Sequence, residues 1–177
     1  PVCRLEAAAH CAAQFATAHS RGRPHDVFSL ATFGEAAAVL GELLDANALG
    51  EAIEAAELRG LGGTFYKPAL AAAVQLLALR PNIPGHVVLL SDGRPADTKA
   101  ALEFFQDLFV RGGHAGARVH GIGFGTTVES FAPLQQLACL GGGTFVLSGC
   151  SVGGLCDAFA SVSSTVTSLA SSGSSSE

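Results

Sequence analysis

Two oxygen-bearing residues in this sequence have the surroundings of metal ligands. Thr64 follows two glycines, and Asp92 follows the apolar run His86–Ser91 and precedes Gly93. Hard cations such as Mg²⁺ prefer oxygen ligands and keep several waters. One hydroxyl and one carboxylate therefore fit part of a magnesium site but do not complete it. The alternative interpretation is structural, with Asp92 capping a turn and Thr64 capping the helix that follows it.

A second motif has the form of a catalytic serine. Residues 149–153 (Gly-Cys-Ser-Val-Gly) match the G-x-S-x-G nucleophile elbow between a predicted strand and a predicted helix. A hydrolase of this class needs an acid and then a histidine after the serine. The last histidine of the chain is His120, so the triad cannot form in that order. We therefore expect no enzyme, and we interpret Ser151 as the cap of the final helix.

Other small motifs lack the residues that would make them sites. Gly121, Gly123 and Gly125 form part of a phosphate-binding pattern, but the full G-x-G-x-x-G and the P-loop lysine are missing from the sequence. We interpret them as a strand end packed closely against its neighbours. The six histidines are dispersed without metal-ligand spacing, and we expect surface or hydrogen-bonded core residues.

Apolar periodicity and turn residues predict an alternating order of helices and strands. The predicted helices cover about residues 1–19, 47–58, 69–77, 98–109, 131–140 and 152–169, and the predicted strands cover 26–33, 37–40, 86–91, 118–124 and 143–147. Asp97, Ser130 and Ser151 are the predicted caps of the last three helices, with Pro133 inside the first turn of its helix.

This alternation predicts an α/β fold, a doubly wound, mainly parallel open sheet flanked by helices. Ligands of such sheets bind beyond the carboxyl ends of the strands, an edge that we call the carboxyl edge. Thr64 and Asp92 would both lie there. The predicted domain spans residues 1–170, and the Ser-rich residues 171–177 are predicted to form a disordered tail.

Length and composition exclude several classes of protein. The chain has 177 residues, of which 49% are hydrophobic and 14% charged, so it can bury a full core. A net charge of -5 argues against nucleic acid as a partner. No apolar window is long enough to predict a membrane span. A chain without methionine that opens inside a helix pattern is typical of a piece of a longer protein.

The five cysteines are an odd number, so they cannot all pair within the chain. None forms a C-x-x-C motif, and most lie among Ala, Leu and Gly. We expect reduced core thiols, which favour the cell interior. The alternative is a disulfide near the chain ends, such as Cys3 with Cys156, in a secreted relative.

Four short motifs follow one another along nearly the whole chain. They are Gly62-Gly63-Thr64 ahead of Lys67-Pro68-Ala69-Leu70, then Leu89–Gly93, then Val119–Gly125, and finally Leu137-Ala138 with Gly141–Phe145. In order and spacing they resemble a von Willebrand factor type A domain over roughly residues 1–165.

The resemblance implies a metal-ion-dependent adhesion site. In that family, bound Mg²⁺ or Mn²⁺ takes an acidic side chain of a partner protein as its last ligand. Three motifs hold the metal: Asp-x-Ser-x-Ser after the first strand, a Thr in a Gly-Gly-Thr turn, and an Asp after the fourth strand. Thr64 matches the second motif and Asp92 matches the third.

The first motif is missing, because the chain begins at the family's first helix. Its loss removes a central strand and two ligands, so we expect weak or absent metal binding unless an upstream segment supplies the motif. The expected function is a protein–protein interaction module of a larger protein. The alternatives are a metal-free scaffold that binds partners through its helix faces, and a hydrolase using Ser151.

Overall fold

The computed structural model describes residues 4–56, 62–112 and 116–172, which form alternating helices and strands. The helices are α1 (Arg4–Ser20), α2 (Ala46–Ala55), α3 (Tyr66–Ala78), α4 (Thr98–Phe105), α5 (Ala132–Leu140) and α6 (Val152–Ser172), and the strands are β1 (Phe28–Phe33), β2 (Ala37–Leu44), β3 (His86–Ser91), β4 (Arg118–Gly123) and β5 (Gly142–Leu147). A π-helical turn, Gln106–Val110, follows α4, and a 3-10 turn, Val128–Phe131, precedes α5.

The predicted element order is confirmed, and several boundaries differ. β2 is twice as long as the predicted edge strand. The predicted cap Ser130 is wrong, because Ser130 lies inside the 3-10 turn and α5 begins at Ala132, although Pro133 does lie in its first turn. The closing helix α6 runs to Ser172 and so includes the first two residues of the predicted tail; residues 173–177 lie outside the described residues.

The strands form two separate sheets. β3, β4 and β5 pair in parallel in that order, while β1 and β2 pair with each other as an antiparallel hairpin. Among the described residues no backbone hydrogen bond joins β1 to β3. The predicted α/β architecture with a mainly parallel sheet flanked by helices is confirmed, but the described strands form two sheets and not one.

Helices cover both faces of the parallel sheet. Alternate residues of β3 point to opposite faces, so that Leu89 joins a core with α3, α4 and α5, whereas Val88 and Leu90 join a core with α1 and α6. A third, smaller core joins α1 and α2 to the hairpin through Phe28 and Leu30. Because apolar side chains are needed on both faces, β3 appears in the sequence as a continuous apolar run.

Glycine on β4 lets α5 and the turn before it approach the sheet closely. A Cβ at Gly121 would lie 2.8 Å from Leu134 Cγ, and one at Gly123 would lie 2.9 Å from Phe131 Cγ. The glycines therefore serve packing, as predicted, because a larger residue would push α5 away.

The prediction of reduced core cysteines is wrong for all four described cysteines, since two are paired and the two free ones are exposed. Cys11 of α1 and Cys156 of α6 form a disulfide, with 5.1 Å between their Cα atoms, and Cys139 and Cys150 are free and exposed. The alternative disulfide named Cys156 but gave it Cys3 as partner, whereas Cys156 pairs with Cys11. Cys3 lies outside the described residues. The inference of a cell interior from reduced thiols therefore has no support.

Within the part of the chain that the structure describes, no helix has the length and apolar character that crossing a membrane requires.

Candidate functional site

Thr64 is presented by a tight glycine turn. Gly62 and Gly63 have φ angles of 69° and 55°, a left-handed conformation that glycine adopts without strain. The turn delivers Thr64, which is partly buried, directly ahead of α3. The Thr64 carbonyl accepts a hydrogen bond from the Ala96 amide at 2.9 Å, so the turn is fixed to the loop that follows β3.

Asp92 lies in that same loop and is exposed. On either side of it the loop is held by Ser91, whose hydroxyl donates to the Gly93 carbonyl at 3.0 Å and accepts from the Gly93 amide at 3.3 Å. The Tyr66 hydroxyl donates to the same carbonyl at 3.3 Å. These bonds fix the backbone on both sides of the exposed residue Asp92.

The two predicted ligand residues lie on loops that touch. A Cβ placed on Gly93 would lie 3.6 Å from Thr64 Oγ1. The Thr64 hydroxyl therefore lies on the side of Gly93 where a side chain would project, next to Asp92. The common edge predicted for Thr64 and Asp92 follows from the chain order, since both loops lie at the carboxyl end of β3.

Asp97 joins the loop after β3 to the start of α3. The role predicted for it, as the cap of α4, is wrong. Its carboxylate does not cap α4, which has no side-chain cap, but accepts hydrogen bonds from the amides of Tyr66 at 2.8 Å and Lys67 at 2.7 Å. Asp97 thus caps α3, 31 residues earlier in the sequence, and its negative charge lies at the positive end of that helix. A sequence signal existed: Phe65 precedes α3 and has no capping oxygen, so the cap must come from elsewhere.

Tyr66 is buried at the carboxyl edge, where its neutral hydroxyl donates a hydrogen bond. Burial raises the pKa of the Tyr66 phenol to about 12; a hydrogen bond with Ser91 opposes the rise, and the charges of Asp97 and Asp92 add to it. The phenol therefore stays protonated and keeps its bond to the Gly93 carbonyl. Sequence reasoning missed Tyr66, because an aromatic residue in the first turn of a helix is usually only a packing residue.

The types of ligand at this edge fit a hard cation, but their number does not. Thr64 supplies a hydroxyl and Asp92 a carboxylate, both suited to Mg²⁺ or Mn²⁺. Among the described residues no group of three or more His, Cys, Asp or Glu side chains is arranged to hold a metal ion. Thr64 and Asp92 alone would leave most of the coordination shell to water or to other groups.

Ser151 behaves as a helix cap, as predicted. Its hydroxyl accepts a hydrogen bond from the Gly154 amide at 3.0 Å, three residues on, in the first turn of α6. His120, the last histidine of the sequence, is hydrogen-bonded to other partners within the sheet. The residues around Ser151 thus give it a structural role.

The sequence profile of the von Willebrand factor type A domain family matches residues 41–147, which is more than half of the chain. The chain therefore belongs to the von Willebrand factor type A domain family, whose members are generally protein-interaction modules. A search of curated proteins finds no match.

Solved structures agree with this fold. The PilB minor pilin from Streptococcus sanguinis superposes with a TM-score of 0.74 at 13% identity, covering 92% of this chain and 54% of the pilin. The SpRpn10 VWA domain gives 0.69 at 18% identity, covering 88% and 82%. Proximal thread matrix protein 1 from the mussel byssus, with a zinc-occupied MIDAS motif, gives 0.67 at 20% identity, covering 89% of this chain but 40% of that protein.

Proposed function

We propose that this domain binds another protein through a divalent-metal site at the carboxyl edge, to which Thr64 and Asp92 contribute ligands. Completing such a site requires an Asp-x-Ser-x-Ser motif in addition to these two residues. The observation that carries the proposal is the contact between the Thr64 turn and the loop of Asp92, held by Asp97 and Tyr66. The zinc-occupied MIDAS motif of the mussel byssus protein, a relative in fold, supports a metal at this edge.

A bound cation would supply an open coordination position for an acidic side chain of the partner. The residues of this chain hold the ligand oxygens of Thr64 and Asp92 in position before a metal binds. Asp97 fixes the start of α3 and hence Thr64, while Ser91 and Tyr66 fix the loop of Asp92. Preorganised ligands lose little conformational entropy on binding, so the stiffness of the edge favours metal capture.

Magnesium titration by calorimetry tests the proposal. The 177-residue chain should bind Mg²⁺ more weakly than millimolar, because two protein ligands displace too few of its waters. A chain extended upstream with a strand ending in Asp-x-Ser-x-Ser should bind at least about tenfold more tightly. In the extended chain, Thr64→Ala and Asp92→Ala should each remove most of that gain.

Asp107→Asn is the matched control, because Asp107 is an exposed carboxylate on another surface, paired with Arg111. It should leave the magnesium affinity unchanged. If Asp92→Ala is equally silent, the metal binds elsewhere and the proposal fails. Sub-millimolar affinity in the 177-residue chain would show that the site does not need the upstream motif.

A metal-free scaffold is the second candidate, and the small number of ligands among the described residues favours it. In that case partners would bind through the helix faces. An extended chain that shows no magnesium affinity at millimolar concentration, while it stays folded, would make this the better description.

A further inference from the structure

We propose that the amino edge of the parallel sheet is a second binding surface, which takes a short segment of a partner protein that carries apolar side chains and a carboxylate. The amino edge is the end of the sheet where β3, β4 and β5 begin, and it comprises residues 79–86, Arg118 and residues 140–142. It lies at the opposite end of the sheet from Thr64 and Asp92. The inference therefore stands apart from the metal-dependent function.

Three large apolar side chains are exposed at the amino edge. Leu79 and Ile83 lie in the connection between α3 and β3, with 44% and 56% of their surface exposed, and Leu140 ends α5 with 41% exposed. Ile83 is the most exposed of the large apolar residues that the structure describes. Single exposed apolar residues are ordinary, but several on one surface are typical of a protein interaction site.

Backbone hydrogen bonds place these residues side by side across the three strands. The Arg118 amide donates to the Gly85 carbonyl at 2.9 Å, and the Val119 amide donates to the Gly141 carbonyl at 3.2 Å. The connection before β3, the start of β4 and the end of α5 are thus consecutive along the edge. Neighbouring strands lie about 4.8 Å apart, so roughly 10 Å separates the connection before β3 from the end of α5, and Arg118 lies between them.

The connection before β3 holds Ile83 in a fixed position. The Ile83 amide donates to the Arg80 carbonyl at 3.1 Å, which closes a turn. Pro81 and Pro84 restrict the backbone on either side of Ile83, because the proline ring fixes φ. A preorganised apolar side chain loses little conformational entropy on binding, which favours a large contribution to the stability of an interface.

The charge of the amino edge is positive, in contrast to the net charge of -5 for the whole chain. Arg80 and Arg118 lie on it, and the three strands with the amino-edge residues that lead into them contain no Asp or Glu. Two acidic side chains that follow α1 and α4 are already bonded, Asp26 to His19 at 2.9 Å and Asp107 to Arg111 at 3.0 Å. Among the described residues neither Arg80 nor Arg118 forms an ion pair, so both can bind carboxylates of a partner.

His86 adds a third donor beside Arg118, its partner in the register of β3 and β4. The Thr144 amide donates to Nδ1 of His120 at 3.2 Å, so His120 carries its hydrogen on Nε2 and donates it to Nδ1 of His86 at 3.1 Å. His86 then carries its own hydrogen on Nε2. Burial, together with the charge of Arg118, lowers the pKa of His86 and so favours this neutral form at pH 7. No described group accepts from Nε2, and no buried side-chain nitrogen among the described residues lacks a partner, so Nε2 reaches solvent.

These features favour a protein segment over a membrane or a nucleic acid. Membrane-binding patches generally have about four to eight Lys or Arg residues, and nucleic acid binding needs a cation for each phosphate that is neutralised. The amino edge has only Arg80 and Arg118, and its exposed apolar side chains suit the core of a protein interface. An extended segment rises about 3.3 Å per residue, so two apolar residues about three positions apart, with Asp or Glu between them, match the roughly 10 Å of this surface.

A random peptide library displayed on phage and selected on the full 177-residue chain tests the inference. Selection in EDTA removes any contribution of a divalent metal. The enriched peptides should share an Asp or Glu between apolar residues, and fluorescence anisotropy then measures their affinity for variants of the chain.

Ile83→Ser and Arg118→Gln should each weaken peptide binding at least about tenfold, as the loss of one central contact of an interface does. Arg80→Gln, at a fully exposed position, should weaken it in the same direction and keeps the test open if Arg118→Gln fails to fold. Arg94→Gln and Val128→Ser are the matched controls, because both residues are exposed beyond the carboxyl ends of β3 and β4. They should leave the affinity unchanged.

Several results would overturn the inference. A library that enriches no acidic peptide, or peptides that respond to the control substitutions and not to Ile83→Ser, would show that the amino edge is not the binding surface. Sedimentation with vesicles of equal phosphatidylserine and phosphatidylcholine, if Ile83→Ser abolished it, would identify a membrane as the partner instead. A dimer of the chain that Ile83→Ser dissociates would identify a second copy. None of these measurements depends on magnesium, so the metal-dependent function can fail while this inference holds.

Discussion

At the scale of single residues, Asp97 determines the geometry of the carboxyl edge. One carboxylate satisfies two of the free amides at the start of α3 and joins the loop after β3 to the Thr64 turn. The bonds are short and charge-assisted, which makes them stronger than neutral backbone caps. Asp97 thus acts on the two proposed ligand residues only by positioning their loops.

Replacing Asp97 by Ala should lower the free energy of unfolding by about 1–2 kcal/mol, the usual cost of a lost helix cap. In the chain extended with Asp-x-Ser-x-Ser, it should also weaken magnesium binding, because Thr64 loses its fixed position. Urea unfolding and calorimetry measure the two effects separately.

Asp45→Ala is the control, because Asp45 also accepts two backbone amides, those of Asn47 and Ala48, at the start of α2. It should cost a similar amount of stability and leave magnesium affinity unchanged. Equal magnesium affinities in the two variants would show that Asp97 has no positioning role.

The other residue-scale feature is a hydrogen-bonded chain of side chains across the parallel sheet. His120 is fully buried; one ring nitrogen accepts the Thr144 amide at 3.2 Å, and the other lies 3.1 Å from a ring nitrogen of His86. The bond from Thr144 fixes the neutral tautomer of His120, which then donates to His86. Burial, together with the nearby charges of His86 and Arg118, lowers the pKa of His120 to about 4.

This arrangement predicts a loss of stability in mild acid. The unfolded chain, where histidine has its ordinary pKa of 6.5, binds more protons than the folded chain between pH 6.5 and about 4. Stability contributed by neutral His120 is therefore complete above pH 6.5 and is lost as the pH falls toward 4, a change of about 3 kcal/mol. Burial lowers the pKa of His86 as well, which acts in the same direction.

Urea unfolding at several pH values between 4 and 7 measures this slope. His120→Gln should flatten the curve in this window, whatever it costs at neutral pH. His10→Gln, at an exposed position of α1, should leave the curve as steep as in the unchanged chain. A curve that keeps its full steepness in His120→Gln would contradict the assignment.

At the scale of elements, the packing of α5 on β4 depends on glycine. A side chain at position 121 would meet Leu134, and Phe145 would lie 3.2 Å from its Cβ. Gly121→Val should therefore cost about 1–3 kcal/mol of unfolding free energy through overpacking.

Gly50→Ala tests the opposite case. A Cβ at position 50 would meet nothing within 4 Å, and the position is helical. The substitution should therefore raise the unfolding free energy by about 0.5–1 kcal/mol, which urea unfolding measures.

Element types were predictable from the sequence because periodicity reports which faces are buried. The continuous apolar run of β3 and the amphipathic spacing of α6 both led to correct assignments. Caps were less predictable, because a capping oxygen can come from a distant loop. Asp97 precedes α4 in sequence but caps α3. Ser130 lies inside the 3-10 turn that precedes α5 and so cannot cap that helix.

At the scale of the whole molecule, the division into hairpin and parallel sheet is the feature with the widest consequences. The sequence predicted one open sheet without its first strand and did not predict two sheets, because local patterns report the strands and not how they pair. The carboxyl edge was predictable from chain order alone, which placed Thr64 and Asp92 together. The supporting roles of Tyr66 and Asp97 were not, since they depend on three-dimensional contacts between α3 and the loop after β3.

The disulfide has a whole-molecule role, because it joins the first helix to the last across 145 residues. Closing so long a loop restricts the unfolded chain, and the chain-entropy account gives about 5 kcal/mol, against measured values of about 2–4. Reduction, or Cys156→Ser, should therefore lower the unfolding free energy by about 2–5 kcal/mol in urea. Cys139→Ser, at an exposed free thiol, should change it little.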